Sequence, residues 1–185
     1  MPTVNEDFKK ELRLLFKKGM AEALTSEWEV TDYDCEGDLK MAEFFMLTIS
    51  SQTFRVVVVL HFTRNEELMT YAASKVGNTG NKSLEADKFY DYLGEVGNAF
   101  CGAIKRELGK TVATLGMSTP NRLSHDCMKF LEVAQDLESH ACASLNGSRL
   151  LGASLFLYAD EDLSYSVKRS VSDEEDVGSG ELEFF

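Results

Sequence analysis

Apolar residues recur every three or four positions in three stretches of this chain, and cluster in shorter β-branched runs between them. From Asn5 to Leu24, Phe8, Leu12, Leu15, Phe16 and Met20 share one side of a helical wheel, with lysine and glutamate opposite. Asn5 is placed to cap that helix. Asn65 to Val76 repeats the spacing through Leu68, Tyr71, Ala72 and Lys75. The third stretch contains "DYLGEVGNAFCGAIKREL", Asp91 to Leu108, and puts Phe89, Leu93, Val96, Phe100, Ile104 and Leu108 on one face. Strand patterns fall at Trp28 to Tyr33, Phe44 to Ser50 and Thr53 to Thr63, the last holding the valine-rich "FRVVVVLHF". Leu115 to Ser124 reads as a strand interrupted by Pro120, and Cys127 to Glu138 fits either helix or loop. Ala141 to Leu145 and Arg149 to Tyr158 form a hairpin through Asn146-Gly147, and Leu163 to Lys168 is a last strand. Gly77 to Ser83 is a loop by its Gly and Asn content. Three helices and about six strands in this order predict an α/β fold of the α+β sandwich kind, the helices packed on one mainly antiparallel sheet.

The third helix carries an unusual second face. At about 100° per residue, Asp91, Glu95, Asn98 and Gly102 fall within about 60° of one another, opposite the apolar side. Asparagine is a weak choice inside an exposed helix. Gly94, Gly97 and Gly102 weaken it further, by roughly 1 kcal/mol each relative to alanine. A solvated polar face yields such a line of residues too. Small residues along a ridge also suit a surface that something must approach closely.

Composition narrows the partners. Of the net charge of −12, six negative charges lie in Asp173, Glu174, Glu175, Asp176, Glu181 and Glu183, which leaves −6 for the rest. Neither part suits nucleic acid or an anionic membrane, whose phosphates would be repelled. No apolar run approaches the ~20 residues that span a bilayer, and the first residues lack a signal-peptide core. Cys35, Cys101, Cys127 and Cys142 have no framework spacing, so reduced thiols in a cytoplasm are the simpler reading. At 185 residues one domain is expected, residues 1–169, followed by an acidic and disordered segment, 170–185.

Other chemistry is thin. His125-x-Cys127 and His140-x-Cys142 sketch a metal site, but zinc sites favour C-x-x-C or H-x-x-x-H spacing, so no metal is expected. Partly buried cysteines and surface histidines are the simpler account. His61 reads as a strand-end residue, and Cys101, beside the core face of its helix, as packed and not nucleophilic. The chain has no phosphate-cradling glycine loop, dinucleotide fingerprint or G-x-S-x-G elbow.

The ridge has the form D-x-x-x-E-x-x-N, and a proline in "STP", Ser118 to Pro120, follows about two dozen residues later. With the flanking segments "YLGEVGNAFCGAIKREL" and "FRVVVVLHFTRNEELMTYAASKV", this resembles the CheC/CheX/FliY family of chemotaxis phosphatases, its CheX branch best, over roughly Glu6 to Lys168. The resemblance implies a CheC/CheX-like fold and a phosphatase acting on the phosphoaspartate of a CheY-like response regulator. It implies that Asn98 positions the attacking water, that Glu95 pairs with the partner's active-site lysine, and that Asp91 makes a peripheral polar contact. Gly102 would keep the ridge low enough to enter the partner's cleft. It further implies a homodimer, no cofactor bound by this chain, and magnesium held in the partner receiver domain. An amide suits such a role because it both donates and accepts, as the water-positioning glutamine of GTPases does. A non-catalytic adaptor that docks a receiver domain or a flagellar switch component is the alternative. Asp7, Glu11 and Leu14 repeat the motif's spacing in the first helix with leucine in place of the amide, so that helix is expected to be inactive.

Overall fold

The computed structural model describes residues 4–33, 41–77, 84–131, 136–160 and 162–163. Its elements are α1 (Glu6–Ala23), β1 (Trp28–Asp32), β2 (Glu43–Ser50), β3 (Phe54–Phe62), α2 (Glu66–Lys75), α3 (Ala86–Leu108), β4 (Gly116–Met117), β5 (Asn121–Ser124), a 3-10 helix (His125–Phe130), β6 (Leu137–Leu145) and β7 (Ser148–Ala159). The strands form one antiparallel sheet in the order β1-β6-β7-β3-β2, with β4 and β5 both pairing along the outer edge of β2. This is the α+β architecture that the hydrophobic pattern predicts, one helical layer on a mainly antiparallel sheet.

The valine run explains the sheet's centre. β3 lies between β2 and β7 and is buried at every position but Arg55. Such a strand needs cover on both faces. On one face Val56, Val58, Leu60 and Phe62 join the main core with α1 and α3; on the other Val57 and Val59 pack with Phe44, Met128 and Phe156. Phe8 ties α1 to Phe54 of β3 at 5.6 Å between ring centroids, and Phe16 ties α1 to Phe100 of α3 at 5.5 Å. Asn5 caps α1 by accepting from the Asp7 amide at 2.8 Å, and Asn65 caps α2 by accepting from Leu68 at 2.9 Å.

The segments flanking the central strands bear on the pattern's reading in different ways. Leu115 to Ser124 is the edge strand interrupted at Pro120 that its sequence predicts, both halves pairing with β2. Pro120 separates β4 from β5, and Ser118 bridges them by donating its amide to the Thr48 carbonyl and accepting from the Thr48 amide, each at 2.9 Å. Of Cys127 to Glu138, Cys127 to Phe130 belong to the 3-10 helix and Leu137 and Glu138 begin β6, while 132–135 lie outside the described residues. Of the last expected strand only Leu163 is described, bridging Val4 in parallel, with its carbonyl accepting from the Asn5 amide at 3.0 Å. The rest of that strand, Cys35, most of the 77–83 loop and the acidic segment 170–185 lie outside the described residues. The Asn146-Gly147 hairpin is present, with φ of 50° and 82°. These positive values are why Asn and Gly stand there.

The sheet face away from the helices holds a buried polar chain. His61 stands at the end of β3, as its position predicts, and is buried there at 2% exposure. Its Nε2 lies 2.8 Å from Ser154 Oγ, which lies 2.9 Å from His140 Nδ1; His140 Nε2 is 2.8 Å from Glu138 Oε1. One serine proton serves only one imidazole. With His61 neutral, its Nε2–H donates to Ser154, Ser154 donates to His140 Nδ1, and His140 Nε2–H donates to Glu138. Every contact then has a donor, and His61 Nδ1 is left a bare acceptor, unpartnered among the described residues. Burial first, then the neighbouring His125 and His140, push the His61 pKa down to about 3. An unfolded imidazole titrates near 6.5, so only the unfolded chain takes up the extra proton on mild acidification. His61 therefore contributes stability that is full above pH 6.5 and lost as pH falls toward 3. Unfolding free energy from urea titrations should drop by roughly 1 kcal/mol between pH 7 and pH 5.5. The same comparison in His61→Phe should be nearly flat; an equal drop there would remove His61 as the cause.

Candidate functional site

Helix α3 owes its shape to two different glycine roles. Its apolar side, Phe89, Leu93, Val96, Phe100, Ile104 and Leu108, is buried as the pattern predicts. Gly94 and Gly97, expected to lower the exposed ridge, are instead buried against β2. A Cβ at Gly97 would stand 3.2 Å from Leu47 Cδ1, and one at Gly94 3.9 Å from Phe45 Cζ. Those glycines let helix and strand approach each other. Gly102 alone meets nothing within 4 Å and is open.

The close approach sets Asp91, Glu95 and Asn98 along the rim of a cleft of about 530 Å³, lined also by Phe45, Tyr90, Pro120 and Arg122. Asp91 and Glu95 are exposed and Asn98 is half-buried. Among the described residues none of the three side chains makes a hydrogen bond or ion pair. Pro120, twenty-two positions beyond Asn98 in sequence, forms the opposite wall because the Ser118–Thr48 clamp fixes the broken edge strand. Gly102 does not line this cleft. It faces an adjoining hollow with Ala99, Ala103, Arg106 and Met117.

The spacing did not reveal the cleft's cationic side. Arg122 pairs in register with Phe45 and so points to the helical face. Its guanidinium sits 3.9 Å from the Tyr90 ring centroid, and its Nε 3.8 Å from Glu43 Oε1. Tyr90 donates its hydroxyl to Glu43 Oε2 at 2.9 Å. Burial, then that hydrogen bond, raise the phenol's pKa. One arginine is thus held by a ring and a carboxylate beside two exposed acids and a free amide. The only hint in sequence was its place two residues after the proline.

The remaining candidates stay apart. Cys101 is fully buried, its thiol pushed up to about 12 by burial. His125 and Cys127 lie on the 3-10 helix, not a strand, while His140 and Cys142 share a face of β6. Cys142 contacts Thr31 Oγ1 at 3.2 Å, and no metal-capable cluster of three or more His, Cys, Asp or Glu exists among the described residues. No helix among them is long and apolar enough to cross a membrane. In α1, Asp7 is exposed, Glu11 half-buried and Leu14 52% exposed, so the echo of the ridge faces outward with leucine at its end.

No protein-family model matches the sequence, and no curated protein matches it. Solved structures do match in three dimensions. Chemotaxis protein CheX from Vibrio vulnificus is similar with a TM-score of 0.60 at 14% identity, over 80% of this chain and 99% of that one. CheX from Borrelia burgdorferi, solved as a CheX–CheY–BeF3–Mg2+ complex, gives 0.58 at 12% identity, over 80% and 97%. The chain has the CheC/CheX fold. FliY from Thermotoga maritima shares it at a TM-score of 0.51 and 12% identity, over 84% of this chain and 91% of that one. At these identities the likeness concerns the course of the backbone. Within the CheX fold of this chain, the cleft is built by the long helix and the broken edge strand.

The open position at Gly102 has a direct consequence. Gly102→Ala removes helix-interior glycine without a clash and should stabilise the protein by about 0.5–1 kcal/mol. Thermal or urea unfolding measures this; a loss of stability would show that the position is not open.

Proposed function

We propose that this protein is a CheX-type phosphatase that stimulates hydrolysis of the phosphoaspartate of a CheY-like response regulator. One observation carries the reading: a half-buried helix amide, Asn98, stands in a cleft with no hydrogen-bond partner among the described residues, one turn from Glu95. An acyl phosphate needs an in-line water and charge neutralisation, and its own protein can supply the second through magnesium and lysine. Asn98 would supply the first by accepting from and donating to the water. Glu95 would pair with the partner's lysine and fix the register of the helix. Asp91 would make a peripheral contact, and Gly102 would leave room one turn on. The solved CheX–CheY complex of the same fold supports a CheY-like partner. A homodimer acting in the cytoplasm completes the proposal, with magnesium belonging to the partner and no cofactor to this chain.

The adaptor alternative keeps the docking surface and drops the chemistry. Phosphate release from phosphorylated receiver domains, with and without this protein, separates the two. The expected result is faster release with wild type and a loss of at least ~10²-fold in Asn98→Ala, the scale of one positioning group. Circular dichroism should show that variant folded. Unchanged turnover in Asn98→Ala would sink the mechanism, and no stimulation by wild type would leave the adaptor. Glu95→Lys should mainly weaken binding to the phosphorylated partner, read by titration.

A further inference from the structure

Among the described residues, Arg122 is the one cation that lines the cleft. Its side chain is 46% exposed, and its guanidinium makes no hydrogen bond among those residues. The Tyr90 ring supports it at 3.9 Å from the centroid. Its Nε faces Glu43 Oε1 at 3.8 Å, within ion-pair range but beyond a hydrogen bond. The side chain is thus held in place while the fork of Nη1 and Nη2 keeps its donors unused. Such a fork matches a carboxylate or a phosphate through two parallel bonds.

Charge balance within the cleft does not account for this arrangement. Asp91 and Glu95 line the same space, yet no ion pair joins either of them to Arg122. An arginine that served only to neutralise the ridge would turn to those acids. This one turns to a ring and to Glu43 on β2.

Position decides which anion the fork suits. Tyr90 precedes Asn98 by eight residues, about 12 Å along the helix axis. Helical side chains lean toward the N-terminus, which carries the Tyr90 ring further from Asn98. A phosphoryl group at Asn98 is therefore beyond hydrogen-bond distance of a guanidinium seated on Tyr90. Glu95 stands between them, about 7.5 Å along the axis from Tyr90.

We propose that Arg122 binds a carboxylate side chain on the surface of the docking receiver domain, so that Arg122 and Glu95 read the partner at two points of opposite charge. The inference rests on the phosphatase reading for the identity of the partner and adds to it a contact away from the chemistry. One ion pair fixes a point on the partner. Two of opposite sign fix its rotation, because the reversed pose sets like charge against like. Asp91 and Glu95 repel a carboxylate that arrives elsewhere on the ridge, which sharpens the choice of Arg122. Arg122 is a specificity residue and not a catalytic one.

Turnover and binding of the full chain test this in parallel. The probes are CheY-like receiver domains from the same genome, phosphorylated for kinetics and loaded with beryllofluoride and magnesium for titration. Arg122→Gln should raise KM and Kd at least tenfold while kcat changes less than twofold. Arg122→Lys keeps the charge without the fork and should fall between. Arg122→Glu should be rescued by exchanging one acidic residue beside the partner's phosphorylation site for lysine. Circular dichroism should show these variants folded, since the exposed guanidinium holds no hydrogen bond among the described residues. A fall in kcat at constant KM would put Arg122 on the phosphoryl group and overturn the proposal. So would KM and Kd unchanged in Arg122→Gln, or failure of every partner exchange to rescue Arg122→Glu. If wild type binds without stimulating hydrolysis and Arg122→Gln weakens that binding tenfold, the phosphatase reading fails and this contact stands. If wild type binds none of the probes, both fall.

Discussion

The contact that the cleft depends on is that of α3 with β2, where Gly97 lets the helix settle against Leu47. A methyl at that position would stand 3.2 Å from the leucine, tighter than ordinary van der Waals contact. The helix therefore lies close enough to β2 that a side chain at this position would press on Leu47. Everything in the cleft follows from this spacing. Phe45 reaches the floor from β2, Pro120 and Arg122 close the side, and Asp91, Glu95 and Asn98 stand on the rim. Packing density in a core makes such positions stiff, since a shift of a few tenths of an ångström is felt by every neighbour. A glycine thus acts on the site from underneath, through the position of a helix and not through any contact with a ligand.

Much of this was legible in the chain, and the failures have physical causes. The apolar face of α3 and the valine run announced themselves because burial imposes a period, 3.6 on one and near-continuity on the other. The caps at Asn5 and Asn65 were readable because a cap is a local bond. The roles of Gly94 and Gly97 were misassigned because a helical wheel gives direction and not distance. It cannot tell a glycine that opens a surface from one that admits a neighbouring strand. The Tyr90–Glu43–Arg122 group was invisible because its members come from α3, β2 and β5, with 47 positions between Glu43 and Tyr90. His61 was undervalued for a similar reason. Its partner Ser154 lies 93 positions away, and nothing local signals that a strand-end imidazole will meet a serine of the neighbouring strand β7.

The two polar systems of the molecule are kept apart by the sheet and are built on opposite principles. On the far face, His61, Ser154, His140 and Glu138 consume one another's donors and acceptors almost completely, as buried groups must. On the helical face, the Tyr90 hydroxyl is also satisfied by Glu43, which lies in ion-pair range of Arg122. Asn98, Glu95 and Asp91 have no such partner among the described residues. The contrast matters because the same fold clearly can satisfy its polar groups where it needs to.

An amide left free at mid-helix is poorly explained by stability. Asparagine is unfavourable in a helix interior, and here it returns no intramolecular hydrogen bond among the described residues. Under the proposed function the arrangement has a reason. An amide can orient water through both of its polar atoms but cannot take a proton from it, so it suits a reaction whose charge neutralisation lies with the partner. The comparison within the chain sharpens this. Helix α1 offers the same spacing through Asp7 and Glu11, yet ends in Leu14, which can neither donate nor accept. If an exposed acid–acid–polar line were only solvated surface, the two helices would be interchangeable there. Instead one carries an amide at the rim of a cleft and the other an exposed leucine, and that difference is what the proposed role of α3 rests on.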